Sequence, residues 1–393
     1  MSTTPLDRTR LLEALALAET SFGLSEPNPR VGCIVGSPDG RVLGRGATQQ
    51  AGGPHAEVMA LREARAAGAD LRGAIAWVTL EPCAHHGRTP PCCDALIAAG
   101  LSRVVVAIED PFGQVAGDGI ARMRAAGVCV EMAEAEIAAA ARDLNIGFFS
   151  RVQRGRPWVR VKIAASLDGR TALPDGRSQW ITGPAARADG HAWRKRAGAV
   201  LTGLGTVLAD DPRLDVRLVP TALQPLRVVV DSRLRIPPTA ALFAWPGAVL
   251  VATTVDEPAR CAPLRDRGAE VVQLPAQAGR VDLQALLAEL ARREVNELHV
   301  EAGPRLNAAL VNAGLVDELL VYQAPTLIGA GRDMAAIGPL PDLGSAPRFV
   351  YRDVALVGAD LRILARAAGR GEFAWPELER SQSVGILDGK TPT

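Results

Sequence analysis

One stretch, Pro54 to Cys93, constrains this chain more than any other. It opens with His55-Ala56-Glu57, crosses an apolar strand from Ala74 to Leu80, and reaches Glu81-Pro82-Cys83. The loop Ala84-His85-His86-Gly87-Arg88-Thr89-Pro90-Pro91 then leads to Cys92-Cys93. One imidazole, two separated thiols and a carboxylate not needed as a ligand are the parts of a zinc site that keeps a position open for water. His55 opens a helix that carries Val58, Leu61 and Ala64 on one face and stops at Gly68, and Cys92 opens another that stops at Gly100. Backbone N–H groups at a helix start favour a thiolate, so Cys83 and Cys92 are expected as metal ligands together with His55. Water in the fourth position of such a site ionises near neutral pH and gives a hydroxide nucleophile.

Glu57 lies two residues past His55, on the same turn but a different face. That placement suits a carboxylate that touches the water and not the metal, taking its proton and delivering it to a departing amine. Zinc deaminases use a glutamate in this way within a His-x-Glu and Pro-Cys-x-x-Cys signature. The His-x-Glu and Pro-Cys are intact here, but the second thiol follows nine positions after the first. A purely structural zinc would want a fourth protein ligand. Cys93 and His85 are available for it, although Cys93, adjacent to Cys92, points elsewhere on its helix.

The bulk numbers bound the rest. A chain of 393 residues is long for one core, so two domains are expected. A net charge of +1 and 4% aromatic residues exclude the one-sided basic field and stacking platforms of nucleic-acid binders. No apolar run approaches the roughly 18 residues of a membrane span, and Met1 to Leu15 lacks a signal-peptide pattern. A cytoplasmic protein with reduced thiols is therefore expected; Cys33, Cys129 and Cys261 read as small buried residues.

Along the first 150 residues, strands of continuous apolar character alternate with helices, which predicts an α/β domain with a largely parallel sheet. The polar stretch Arg151 to Pro157 breaks the pattern and is taken as the boundary. A second α/β domain is expected over 157–369, closed by a hairpin about Val357-Gly358-Ala359, with a loosely held tail over 370–393. Within it, Gly203-Leu204-Gly205-Thr206 and Glu301-Ala302-Gly303-Pro304 each follow a strand, a geometry that offers backbone N–H groups to phosphate. The first loop is no Rossmann fingerprint, because Leu208 stands where its last glycine is needed. A nicotinamide cofactor would need another fold.

Three segments of the first half, Pro27-Asn28-Pro29-Arg30-Val31-Gly32-Cys33, Ala51 to Val58 and Thr79 to Cys92, closely resemble the bifunctional riboflavin-biosynthesis deaminase and reductase family. So do Lys162 to Arg170, Ser178 to Gly183, Thr206 to Pro212 and Val300 to Pro304 in the second. The resemblance implies a cytidine-deaminase-like α/β/α domain followed by a dihydrofolate-reductase-like α/β domain, Zn2+ and NADPH as cofactors, and a phosphoribosylaminopyrimidine substrate. It implies His55, Cys83 and Cys92 as zinc ligands, Glu57 as proton shuttle and Asn28 on the pyrimidine, with His86, Arg88 or Thr89 near the ribose or phosphate. For the reductase it implies an NADP site at Ala164, Trp180, Thr206, Asp210, Ser232 and Gly303-Pro304-Arg305-Leu306-Asn307-Ala308-Ala309. A substrate site at Ser178, Arg194, Leu214, Arg217 and Glu301 follows from the same match. Arg194 and Arg217 make sense as phosphate forks. Trp180 either stacks on nicotinamide or fills core, and Lys162 either polarises the sugar carbon or is a rim lysine. Two departures stand out: Thr48, where members carry His, and Phe112-Gly113, where they carry Asn-Pro. A homo-oligomer is expected. The competing reading is a nucleoside or RNA base deaminase fused to an unrelated NAD(P)-dependent reductase.

Overall fold

The computed structural model describes residues 3–85, 90–112 and 116–373. In the first half, five strands form one sheet: β1 (Gly32–Gly36), β2 (Val42–Ala47), β3 (Ile75–Val78), β4 (Arg103–Val106) and β5 (Cys129–Met132), in the order β2-β1-β3-β4-β5. The expected largely parallel sheet is mixed. β3, β4 and β5 run parallel, while β1 is antiparallel to both neighbours, to β2 because a tight turn at Asp39-Gly40 folds β2 straight back on it.

Helices cover this sheet on both faces. α1 (Pro5–Ala18) starts where Thr4 caps the Asp7 N–H, Asp7 returns the bond, and Pro5 takes the first turn. The buried Asp7 carboxylate also accepts from Trp77 Nε1 at 2.7 Å and from Arg103, which fastens α1 to β3 and β4. α2 (Ala56–Ala66) lies on the other face, so close that a Cβ on Gly46 would sit 2.0 Å from the Ala56 carbonyl oxygen. That contact needs glycine, and it fixes the helix start that carries His55 and Glu57. α3 (Cys92–Ala98), α4 (Asp118–Ala125) and α5 (Ala135–Leu144) complete the layer set.

The first four residues of the stretch taken as the boundary, Arg151 to Arg154, are helical: α6 (Ile146–Arg154) stops at Gly155, whose φ of 65° is left-handed and disfavours a β-branched residue. Its arginines look polar in sequence but lie over rings, Arg151 on Phe148 and Arg154 on Trp158. Of the expected tail, 374–393 lie outside the described residues. Phe373 packs its ring 5.7 Å from Phe149 and 6.4 Å from Trp158.

The second half is built on nine strands. In chain order they are β6 (Trp158–Ser166), β8 (Ala199–Gly203), β9 (Leu226–Val230), β10 (Val249–Thr253), β11 (Ala269–Gln273), β14 (Glu297–Val300), β15 (Glu318–Ala324), β17 (Phe349–Val357) and β18 (Asp360–Ala367). Two short ribbons pair β7 (Arg170–Ala172) with β16 (Arg332–Asp333) and β12 (Ala276–Gln277) with β13 (Arg280–Val281). The sheet order is β11-β10-β9-β8-β14-β6-β15-β18-β17, parallel from β11 to β15 and closed by the antiparallel β17–β18 hairpin the sequence predicts. Val228 and Leu250 face one apolar layer, and Val229 and Val251 the other. Burial on both faces is why these strands read as unbroken apolar runs. The helices are α7 (Pro184–Arg196), α8 (Leu204–Asp210), α9 (Pro258–Arg265), α10 (Leu283–Arg292) and α11 (Pro304–Asn312).

The two halves meet at Glu297, the first residue of β14. Its fully buried carboxylate accepts from Arg30 at 2.6 Å, Arg160 at 2.7 Å and Arg196 at 2.8 Å. Burial pushes this carboxyl up, but Arg196, Arg30 and Arg160 together hold it well below the usual range. Its contribution is therefore present above the unfolded-state value of about 4.3 and is lost progressively as pH falls from there toward the depressed folded value. Glu297→Ala leaves three buried guanidiniums without their shared acceptor, an expected loss of about 3–5 kcal/mol read as a lower denaturation midpoint at pH 7. A loss within experimental error would show that the junction does not hold the fold.

Candidate active sites

The first site assembles at the carboxyl end of β3. His55 is the N-cap of α2, with extended backbone and a side chain that makes no capping bond, which leaves the imidazole free to turn inward. Its Nδ1 lies 3.7 Å from Cys83 Sγ and 3.3 Å from Cys92 Sγ, and the three ligand atoms fall within 4.8 Å of one another. A tetrahedral zinc with bonds of about 2.3 Å to sulfur and about 2.0–2.1 Å to nitrogen sets sulfur and nitrogen about 3.6 Å apart. The two observed separations bracket that value, so the donor set fits the ion. Cys92 donates its backbone N–H to Cys83 Sγ at 3.4 Å, the helix-start contact that steadies a thiolate.

Glu57 stands in the first turn of α2, 3% exposed, beside the three ligands and outside their set. Burial, then the charge of Cys83, pushes its carboxyl up to about 7. Hydrogen bonds from Cys92 and His55 hold the Cys83 thiol down, while the Cys92 thiol, bonded to Cys83 and buried, is pushed up. Three acidic groups in one buried space oppose each other's ionisation, and a dication relieves all three.

Two further features shape this end. Glu81, just before Pro82-Cys83, accepts backbone N–H bonds from Asp110 at 3.2 Å, Gly117 at 3.0 Å and Ile120 at 3.2 Å, and so anchors the loop that holds Phe112 to the strand end. A Cβ on Gly119 would meet the Pro82 carbonyl at 2.0 Å, so α4 presses directly on the cysteine loop. Thr48 is buried and its hydroxyl accepts from the Val31 N–H at 3.1 Å; it is a brace for the start of β1. Phe112 is 45% exposed. Gly113, His86, Arg88 and Thr89 lie outside the described residues. Asn28 sits in the turn before β1, its N–H bonded to Ser25 O at 2.8 Å. Since Cys33 pairs with Val78 in antiparallel register, that turn enters beside the carboxyl end of β3, the end that leads to Cys83.

The second site lies at the carboxyl ends of β8 and β14, neighbours in the nine-stranded sheet. Both glycine loops are found there side by side: Gly203 lies 3.2 Å from Leu306, and Gly303 3.8 Å from the Thr206 hydroxyl, each measured from an ideal Cβ. Each glycine is the N-cap of a helix, Gly203 of α8 and Gly303 of α11. Two helix starts thus open on one crevice outside the strand ends, where α/β sheets bind anionic ligands. The loop Gly203 to Thr206 is itself the first turn of α8, a helix the sequence reading missed because it spans only seven residues.

Around this crevice the other expected residues divide. Trp180 is 66% exposed, with the Arg187 guanidinium 4.6 Å from its ring centre, so it is no core filler. Asp210 ends α8 and is exposed. Ala164 stands on β6 opposite Tyr322. Ser232 is tied into the fold, its hydroxyl accepting from the Val281 N–H at 2.9 Å. Asn307 and Ala308 are buried on the inner side of α11, Asn307 donating to Met334 O at 2.9 Å, whereas Arg305 is exposed and Pro304 and Ala309 are half-buried. Ser178 is half-buried in the loop before Trp180.

The substrate candidates cluster more tightly. Arg194 forms a two-point pair with Glu301 and gives its remaining arm to Asp215 O at 2.8 Å. All three of its nitrogens are already engaged, so it orients Glu301 instead of standing open as a phosphate fork. Burial would raise the Glu301 carboxyl, but Arg194 holds it far below the ordinary range. Arg217 is 39% exposed at its side chain and paired only edge-on with Asp215 at 2.7 Å, which leaves it the more open of the two arginines. Leu214, buried with a left-handed φ of 57°, turns the chain between them. Lys162 projects from β6 near the Tyr322 ring, its amine pushed down by burial. Two members were missed. His191, three residues before Arg194 and so on the same helix face, accepts the Arg217 N–H at 3.2 Å and is pushed down to about 4 by burial and the neighbouring arginines. Asp215 bridges Arg213 and Arg217. The i, i+3 spacing was a readable signal for His191; nothing local marked Asp215.

The comparisons agree with this division. Residues 6–108 match the cytidine and deoxycytidylate deaminase zinc-binding region, and residues 157–349 the RibD C-terminal domain. The chain is 45% identical to the riboflavin biosynthesis protein RibD of Escherichia coli strain K12, over 90% of this chain and 98% of that protein. It is 39% identical to that of Aquifex aeolicus, over 91% and 98%. The chain belongs to the RibD family. RibD of Acinetobacter baumannii superposes with a TM-score of 0.83 at 39% identity, over 92% of this chain and 99% of that one. A Thermotoga maritima diaminohydroxyphosphoribosylaminopyrimidine deaminase/5-amino-6-(5-phosphoribosylamino)uracil reductase does so with 0.82 at 32% identity, over 92% and 99%. As a RibD protein the chain is a bifunctional enzyme of riboflavin biosynthesis, a zinc deaminase joined to an NADPH-dependent reductase. Because RibD relatives match both halves together, a nucleoside or RNA base deaminase fused to an unrelated reductase is not favoured. Purified protein should carry about one zinc per chain, and Cys83→Ser or Cys92→Ser only a small fraction of that. Elemental analysis checks it; full zinc in both variants would remove the thiols from the site.

Proposed function

We propose that the first half, within residues 1–150, hydrolyses the diaminopyrimidine bearing a phosphoribosylamino group to the uracil, and that the second, within 157–369, reduces the ribosyl group of that product to a ribityl chain. The observation that carries the reading is the triad of His55, Cys83 and Cys92 with a buried carboxylate beside it and not in it. When bound by these three side chains, zinc supplies a water that ionises near neutral pH. Glu57, buried beside the three ligands and outside their set, takes one proton at its carboxylate and gives it to the departing amine as the carbon–oxygen bond forms and the carbon–nitrogen bond breaks. Asn28 holds the pyrimidine, and Glu81 keeps the loop through Phe112 against the site.

In the second half, NADPH when bound would supply hydride to the first carbon of the ribosylamine, whose bond to the ring oxygen breaks while that oxygen takes up a proton from the solvent, opening the ring. Gly203 and Gly303, at the two helix starts, receive the cofactor's phosphates with Thr206 between them. Glu301, set by Arg194, and Arg217 hold the substrate, Arg217 on its phosphate. The order follows from chemistry: the reductase substrate of the Thermotoga relative is a uracil, which already carries oxygen where the amine was lost.

The protein is further read as cytoplasmic, without nucleic-acid or membrane partners; among the described residues no helix is long and apolar enough to cross a membrane. The edge strand β17 exposes Val350, Tyr351, Val354 and Leu356, which supports assembly with further copies of the chain.

Incubation with the diaminopyrimidine, with and without NADPH, separates ammonia release from NADPH oxidation. Ammonia should appear without NADPH, and NADPH should be consumed only after deamination. Glu57→Gln should keep zinc and fold yet lower ammonia release by about 10²–10⁴-fold; a fully active variant would refute the proton shuttle. Arg217→Ala should raise the Michaelis constant for the uracil roughly 10–100-fold, as expected for a lost charge-assisted bond, with little change for NADPH. An unchanged constant would take Arg217 out of the substrate site.

A further inference from the structure

Asn28 belongs to the deaminase half, but the turn that carries it is held from the other half. Asn296, immediately before β14, is 2% exposed and donates its side-chain amide to Glu26 Oε2 at 2.7 Å and to Pro27 O at 2.9 Å. Its Oδ1 accepts from Arg151 Nε at 2.7 Å, which fixes the orientation of the amide. The other Glu26 oxygen accepts from Arg30 at 2.9 Å, and Arg30 in turn reaches Glu297. Residues 26 to 30 are thus fastened on both sides of Asn28 to two consecutive residues, Asn296 and Glu297, some 270 positions away in sequence.

The anchor itself is stiff. A Cβ on Gly147 of α6 would meet Asn296 O at 2.6 Å and Glu297 Cγ at 2.4 Å, so backbone packs on backbone there. Trp158 N–H bonds to Asn296 O at 2.8 Å, adding the edge of β6. The first half supports the turn through the Asn28 N–H on Ser25 O, the Ser25 hydroxyl on Asn28 O at 3.3 Å and, at Arg30, a two-way pairing of its backbone with the Asn145 amide at 2.7 and 2.9 Å, whereas the Pro27 carbonyl beside Asn28 is taken by Asn296.

We infer that Asn296 of the reductase half is a positioning residue for the deaminase, setting through Glu26 and Pro27 the placement of Asn28 against the pyrimidine. The inference rests on the reading of Asn28 as a substrate contact. It makes the reductase half part of the deaminase's substrate-binding apparatus, apart from any use of NADPH.

Asn296→Asp tests it in the full-length, zinc-loaded enzyme. The shape and the bond from Arg151 are kept, while both donations to the turn are lost and a carboxylate faces Glu26. The Michaelis constant of the deaminase for the diaminopyrimidine should rise about tenfold or more. Its kcat, the zinc content, and the reductase constants for the uracil and NADPH should stay within about twofold, the scatter of such comparisons. Adding Glu26→Gln reverses donor and acceptor, since the new amide can donate to Asp at 296 and still accept from Arg30, and should return the Michaelis constant toward the parent value. Should Asn296→Asp not fold, Glu26→Gln alone carries the test, because its amide and that of Asn296 place donor against donor or break the bond from Arg30. An unchanged Michaelis constant in the folded variant, or equal loss of both activities with a lowered melting point, would overturn the inference. Asn28→Ala, assayed in parallel, separates the two readings. If it raises the constant and Asn296→Asp does not, the positioning role alone is lost; if it changes nothing, the substrate contact is lost and the inference with it.

Discussion

A single carboxylate, that of Glu297, organises the junction on which both sites depend. Three guanidiniums converge on it, and the surrounding charges balance: Arg30 also meets Glu26, Arg160 also meets Glu318, and Arg366 meets Glu318 and Asp143. Aromatic rings cover what carboxylates do not, with Phe22 facing Arg30 and Arg196, and Trp193 facing Arg160 and Arg196. Burying so many charges is not an efficient route to stability, since desolvation offsets most of the Coulomb gain. What it gives is register. Any sliding of one half against the other would strand a buried guanidinium, a cost of several kcal/mol, whereas an apolar interface would tolerate small shifts.

The two sites share one backbone device. In each, the carboxyl end of a parallel strand leads to a helix start, within a few residues at the second site and across the long Cys83-to-Cys92 loop at the first, so that unpaired N–H groups point at the place where negative charge is needed. At the first site the charge is the Cys83 thiolate, met by the N–H of Cys92. At the second, the starts of α8 and α11 are the place proposed for the cofactor's phosphates. The difference lies in the side chains: thiols and imidazole select a soft cation, while glycines let a bulky anion approach the backbone closely.

The metal centre was legible because its parts are chemically rare and lie within forty residues of sequence. His-x-Glu and Pro-Cys need only one strand between them to be brought together, and the apolar run Ala74 to Leu80 announced that strand. Most strands of the second half were legible for a similar reason, as burial on both faces leaves an unmistakable apolar run. The polar junction was not. Arg30 and Glu297 are 267 positions apart and look like ordinary surface charges, and the helix α6 was hidden because its arginines lie over rings instead of facing water. Arg194 was recognised as a site residue, but its engagement by Glu301 and the Asp215 carbonyl is a product of tertiary packing that spacing does not encode.

β14 explains why the junction and the second site are tied. It is a central strand of four residues, flanked in parallel register by β6 and β8 and buried throughout. From Asn296 at its head to Glu301 at its tail is five steps, about 17 Å at the usual strand rise. The head holds the turn that carries Asn28, the tail presents Glu301 and Gly303 to the reductase crevice, and His299 between them is buried close to Glu301, at 3.2 Å. A strand paired on both sides does not bend over that length. The turn that carries Asn28 and the reductase crevice are therefore not merely joined by a linker but are fixed to opposite ends of one rigid element, and the charge lock at Glu297 keeps that turn seated on its end.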